Sequence, residues 1–153
     1  MRIAIVERQP VEVSYLRYTG PFGEPLARFW RSTVSPWLAD HGLLDCPRYG
    51  VTVDNPLDTP AEKCRYDACV EVPAGLQLPD AEEATIPGGR YAVTIFRGVG
   101  PEIGPAWRVF ASACFLSHAG DARRLPFEHY PRGASFDART GAFVCELCMP
   151  VSS

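Results

Sequence analysis

The chain has no long apolar run, no basic stretch and no repeated cysteine pair, and each absence removes a class of protein. No segment approaches the roughly 20 apolar residues of a membrane-spanning helix. The apolar part of MRIAIVERQPVEV at the N-terminus is too short for a secretory signal. A cytoplasmic protein without a membrane partner is therefore expected. Basic residues are scattered, with Arg123-Arg124 as a lone doublet, and the formal net charge is −3 with a pI near 5.6. Nucleic-acid surfaces carry a basic stripe, so direct nucleic-acid binding is disfavoured, whereas a cation or a basic protein face suits an acidic chain. Cys145-x-x-Cys148 lacks the second pair of a zinc ribbon, and on a strand residues three apart point to opposite faces. No metal and no cofactor are expected, and the six cysteines read as reduced, mostly buried thiols. His41, His118 and His129 fall outside any ligand spacing, and Gly88-Gly89 and Gly98-x-Gly100 lack the strand-to-helix setting of a phosphate loop.

What is present is an internal echo. Placing LRYTGPFGEPLARFW (16–30) over FRGVGPEIGPAWRVF (96–110) matches Arg17 with Arg97, Gly20 with Gly100, Pro21 with Pro101, Pro25 with Pro105 and Arg28 with Arg108. Nearly the same offset sets YDACVEV (66–72) over CELCMPV (145–151), bringing Asp67 onto Glu146, Cys69 onto Cys148 and Val72 onto Val151. A period near eighty is too long for a solenoid and suits two halves of one pseudo-symmetric domain spanning 1–153, about 1–73 and 82–151. Function is expected where the halves meet.

Alternation and turn residues read the first half as strands 2–8 and 11–18, a helix from Pro25, then strands 48–53 and 62–72. Leu26, Phe29, Trp30, Val34 and Trp37 form the helix's apolar stripe; Pro36 predicts a kink or restart capped by Ser35, and Gly42 a stop. The second half reads as strands 82–86 and 90–97, a helix 105–117 opened by Pro105, and strands 126–130 and 142–151. Ala106, Trp107, Val109, Phe110, Ala113 and Cys114 are predicted to face inward. Helices segregated onto an antiparallel sheet give the α+β class.

Glu146 is the sharpest candidate, because its strand is otherwise apolar (Phe143, Val144, Cys145, Leu147, Cys148, Met149). Charges amid such neighbours are paired or used. Burial is predicted to raise its pKa, fitting it to hold a cation or to act as acid or base; the plainer alternative is an ion pair with an Arg. Asp67 is its counterpart, with Lys63 and Arg65 nearby to explain it. Among three Trp, six Tyr and eight Phe, Trp107, Phe110, Tyr66, Tyr91 and Tyr49 fall near the predicted junction. A carboxylate among aromatic faces favours flat, lipophilic cations, with ordinary core packing as the alternative for each ring.

GPFGE (20–24), TPAEKCRYDACVEVP (59–73), IPGGRYAV (86–93), the helix beginning PAW (105–107) and CELCMPV (145–151) together resemble the GyrI-like proteins, relatives of AraC-type effector-binding domains and of the DNA gyrase inhibitory protein. The resemblance implies two tandem strand-helix-strand-strand modules forming a curved antiparallel sheet with two helices. It also implies a ligand pocket between the modules, with Glu146 as the acidic residue of the last strand. Three activities follow from it: capture of a lipophilic or cationic compound for drug or toxin sequestration, hydrolysis of cyclopropane-bearing alkylators with Glu146 as general base, or binding to DNA gyrase. AraC-type members carry a helix-turn-helix ahead of this module, whereas residue 1 here already opens the first strand, so a stand-alone binding module is expected rather than a direct regulator.

Overall fold

The computed structural model describes residues 1–152. In chain order they form β1 (Ala4–Arg8), β2 (Val11–Thr19), α1 (Glu24–Phe29), a π-helical turn (Trp30–Val34), α2 (Ser35–Asp40), β3 (Arg48–Thr52), β4 (Arg65–Glu71), β5 (Glu82–Ile86), β6 (Gly89–Gly98), α3 (Gly100–Phe115), β7 (Phe127–Tyr130) and β8 (Phe143–Pro150). All eight strands pair antiparallel in the order β1-β6-β8-β7-β3-β4-β2-β5. Exchanging each strand with the one four places along reverses that order. The repeat in the sequence is thus a two-fold pseudo-symmetry, with its axis between β3 and β7, and each half lends its first strand to the other. The fold is α+β: two helical rods on one curled antiparallel sheet.

The curl follows from two short links. Gln9 and Pro10 alone join β1 to β2, which lie at the first and seventh places, and Pro87 and Gly88 alone join β5 to β6, at the eighth and second. Six strand spacings amount to ~29 Å, whereas a two-residue link reaches at most ~11 Å. The sheet therefore rolls into a half-barrel until its ends approach. The links meet at Gly88, where a Cβ would lie 2.8 Å from the Arg8 carbonyl oxygen and 2.9 Å from the Pro10 nitrogen.

Strand alternation divides the side chains between two faces. Inside the curl, Val13, Tyr49, Cys69, Ile86, Tyr91, Val93, Phe127 and Cys148 form one core. Outside it, the first helical rod covers Tyr66, Ala68 and Val70, and α3 covers Ala92, Phe96, Cys145 and Leu147. Each fully buried large apolar side chain contributes about 1.5–3 kcal/mol.

Three local expectations are corrected. The second helix begins at Gly100, with Pro101 in its first turn and Pro105 inside it, because the Glu102 carboxylate accepts the Val99 N–H and starts the helix early. Val109 points to solvent, while Phe110 and Cys114 supply the buried face. Pro36 does not break the first rod and Ser35 makes no cap: the π turn, closed by the Ser35 N–H donating to the Trp30 carbonyl, lets the rod run into α2. Gly42 ends it at φ +70°.

Candidate functional site

Near the pseudo-symmetry axis, on the helical side of the sheet, the structure buries a carboxylate that the sequence did not single out. Glu128 in β7 is only 6 % exposed. Its Oε1 accepts the Tyr66 hydroxyl at 2.8 Å and the Tyr130 hydroxyl at 3.1 Å, and its Oε2 accepts the Trp107 indole N–H at 3.2 Å. Tyr66 in turn accepts the Trp30 indole N–H at 3.2 Å. Tyr66 and Trp30 come from the first half, and Trp107, Glu128 and Tyr130 from the second. Gly50 makes this possible. It pairs across from Glu128, and a Cβ there would fall onto the Tyr66 hydroxyl and within 2.7 Å of Glu128 Oε1. The absent side chain is the space through which the phenol reaches the carboxylate.

The electrostatics are unusual because every donor is neutral. No ion pair among the described residues includes Glu128. Burial pushes its carboxyl above the usual carboxylate range, and the three hydrogen bonds offset only part of that. Burial next to the same carboxylate also raises the Tyr66 and Tyr130 phenols well above their ordinary value, so both remain donors. Around them stand further rings: Phe22 packs edge-on to Tyr66, Trp30 tilts against Tyr130 at 5.9 Å, and Phe110 lies 5.9 Å from Trp107.

The sheet divides the residues selected from the sequence. Tyr66, Trp107 and Phe110 share the helical side with Glu128, whereas Glu146, Asp67, Tyr49 and Tyr91 face the interior of the curl. The predicted rise in the Glu146 pKa is reversed. The hydrogen bond with His129 Nδ1 at 2.6 Å holds its carboxyl below the usual range, outweighing desolvation, with Arg8 Nη1 3.7 Å away. Asp67 is paired by Arg17, through two contacts at 2.7 and 3.0 Å, and not by Lys63 or by Arg65, which binds Asp54. Tyr49 stacks on His129, and Tyr91 lies under Arg124 with its hydroxyl bound to the Pro87 carbonyl.

Glu128, Tyr130 and Trp30 were missed as site residues. The signal was present in PFEHY, where a carboxylate stands among aromatic residues. Two surface clefts of about 190 and 530 Å³ lie elsewhere, beside Pro73–Leu76 and beside Arg90 and Arg124. In the larger one, every arginine is already paired with Glu7 or Asp121. Among the described residues no group of His, Cys, Asp and Glu is arranged to hold a metal. Cys145 and Cys148 lie on opposite faces of the sheet. No described helix is long and apolar enough to cross a membrane.

Comparison with known proteins fits this architecture. Residues 1–152 match the family model of the GyrI-like small molecule binding domain. The chain is 31 % identical over 134 residues to the DNA gyrase inhibitor of Escherichia fergusonii, covering 80 % of this chain and 84 % of that protein. Among solved structures it resembles SAV2435 bound to tetraphenylphosphonium, with a TM-score of 0.69 and 14 % identity over 100 % of this chain and 95 % of the other. The C-terminal domain of EcmrR gives a TM-score of 0.72 at 11 % identity, covering 99 % of this chain and 98 % of that one. At such identities the two structures establish the fold alone.

Proposed function

The chain belongs to the GyrI-like small molecule binding domain family, and on that premise we propose that it captures a lipophilic monocation at Glu128, between its two halves. One observation carries the reading: a buried carboxylate held by three neutral donors has no counter-charge. Buried charges are costly unless paired, and a cationic ligand is the partner this site lacks. Three of its roughly four accepting positions are already engaged by two phenols and an indole. It therefore favours a cation that brings charge and apolar area over one that must be satisfied by several N–H···O bonds. The rings of Trp30, Tyr66, Trp107 and Tyr130 supply cation–π attraction and apolar contact. Trp30 and Trp107 are half-buried, and one of them must turn aside to admit a ligand, since the carboxylate itself is enclosed. The tetraphenylphosphonium carried by the structural neighbour SAV2435 is a ligand of this chemistry. Such binding suits sequestration of a drug or toxin.

Tetraphenylphosphonium and triphenylphosphine oxide separate charge from shape. Calorimetric titration is expected to show saturable binding of the phosphonium and at least ~10-fold weaker binding of the neutral oxide, a difference of ~1.4 kcal/mol. Equal affinities, or no binding of either, would contradict a role for the Glu128 charge.

A second reading, an interaction with DNA gyrase, is favoured by the name of the Escherichia fergusonii relative and by the apolar ridge that Val109 and Leu116 expose on and just beyond α3. A supercoiling assay with purified gyrase tests it: inhibition that Val109→Asp abolishes supports this reading, and no inhibition at micromolar protein removes it.

A further inference from the structure

The interior of the curled sheet carries a second cluster of side chains that the cation site does not use. Ile95, Glu146, His129 and Tyr49 stand side by side in register on the neighbouring strands β6, β8, β7 and β3. Glu146 Oε1 lies 2.6 Å from His129 Nδ1, and the imidazole stacks on Tyr49 at 4.8 Å with 14° between the planes. Held at one nitrogen and along one face, the ring has its other nitrogen, Nε2, without a hydrogen-bond partner among the described residues and not sealed from solvent. Ile95 is 59 % exposed, so the row is open at the Glu146 end. Arg8, from β1, places its guanidinium 5.5 Å from the centre of the Phe127 ring and within 3.7 Å of Glu146.

We infer that this row is a second, hydrolytic site, with His129 as general base, Glu146 as its positioning residue, and small carboxylic esters of phenols as the substrate class. The acceptor Glu146 fixes the neutral tautomer that carries hydrogen on Nδ1 and a lone pair on Nε2. Nε2 takes a proton from water as the water oxygen bonds to the ester carbonyl carbon, and the carbonyl electron pair moves onto its oxygen. When the tetrahedral intermediate collapses, the carbon–oxygen bond to the phenol breaks. The phenolate leaves with the electron pair and takes up the proton from Nε2, and the acid is released. Arg8 supplies positive charge beside the row, and the exposed Ile95 offers apolar surface to the aryl group.

The chemistry limits the class. Cys148 shares this face, but it is fully buried and its thiol is pushed up to about 12, so water rather than sulfur must attack. The imidazole is the one proton donor beside the reacting atoms, since Glu71 reaches only the Tyr49 hydroxyl, so a phenolate, which can leave before it is protonated, suits the site better than an amine. The groups facing the imidazole pair are Glu146 and Cys148 from β8, Tyr49 from β3 and Arg8 from β1; the Tyr49 hydroxyl reaches Glu71 of β4 at 3.5 Å.

Release of 4-nitrophenolate from 4-nitrophenyl acetate by the full chain tests the inference. Product is expected to exceed protein many times over. His129→Asn is expected to lose roughly 100-fold or more. Glu146→Gln is expected to lower kcat with KM little changed, with partial recovery in Glu146→Asp, a pattern that mere loss of packing does not produce. Near-UV circular dichroism verifies that each variant is folded. Product that stops at one equivalent of protein, or a folded His129→Asn variant with the wild-type rate, would each overturn the assignment. The first needs no variant, and neither depends on cation binding at Glu128.

Discussion

Replacing Tyr66 by Phe removes one oxygen from the centre of the proposed cation site and keeps the ring. That oxygen donates to Glu128 at 2.8 Å and accepts from Trp30 at 3.2 Å. Tyr66 is 1 % exposed, so no water replaces the hydroxyl. A hydrogen bond to a charged group contributes about 1.5–3 kcal/mol and a neutral one about 0.5–1.5 kcal/mol. Trp30 is only half-buried and its N–H can turn to solvent, so the bond to Glu128 dominates, and Tyr66→Phe is expected to cost ~2–3 kcal/mol. For a chain of this length that lowers the melting temperature by about 5–10 °C. Urea denaturation of Tyr66→Phe, Glu128→Gln and the double variant closes a thermodynamic cycle. Because Gln keeps an acceptor but no charge, a coupling of ~1 kcal/mol or more is expected, with a smaller Tyr66 effect once Glu128→Gln is in place. A Tyr66→Phe cost below ~0.5 kcal/mol, against that same scale, or an equal cost with and without Glu128→Gln, would refute the reasoning.

Other outcomes follow from the same geometry. Gly50→Ala is expected to destabilise the fold by at least ~3 kcal/mol in chemical denaturation, because its methyl overpacks the site and also displaces the Tyr66–Glu128 bond. Gly88→Ala meets backbone of the β1–β2 link rather than a movable side chain, and is expected to lower the melting temperature while leaving far-UV circular dichroism unchanged. The raised pKa of Glu128 makes proton and ligand competitors. Phosphonium affinity is expected to fall with acidification beginning above the usual carboxylate range, and calorimetry in buffers of different ionisation enthalpy should detect proton release on binding within that window. Glu146 has the opposite sign: its folded pKa lies below the unfolded value, so it stabilises the protein above the ordinary carboxylate pKa. That contribution is lost as pH falls through the depressed folded value, and acid denaturation of Glu146→Gln should lack that component.

The elements were legible in the sequence because their signals are local. Alternation in VEVSYLRY and AFVCELCMPV, the stripe of Leu26, Phe29, Trp30 and Val34, and the stop at Gly42 all lie within a few residues of what they specify. The repeat foretold the two-fold arrangement, and with it the junction at which Tyr66 and Trp107 converge. What stayed hidden depends on contacts across strands. Arg17 reaches Asp67 from fifty residues away, and His129 reaches Glu146 from the neighbouring strand, so neither pairing lies within a sequence window. Glu128 shows the same limitation in a short strand. PFEHY places Phe127 and His129 on one side and Glu128 and Tyr130 on the other, and only the rolled sheet and the helices above it determine which side is dry. Pro105 was read as a helix start because Pro favours the first turn, but the Val99–Glu102 contact begins the helix one turn earlier.

The central claim is that a buried, uncompensated carboxylate at the meeting of the two halves holds a cationic ligand. Calorimetric titration of tetraphenylphosphonium into wild type and Glu128→Gln measures that charge directly. The variant is expected to stay folded and to bind roughly 10–100-fold more weakly, the loss expected when ~1.5–3 kcal/mol of charge interaction is removed, with no remaining dependence on pH through the carboxylate range. Equal affinity for wild type and a folded Glu128→Gln variant would contradict it.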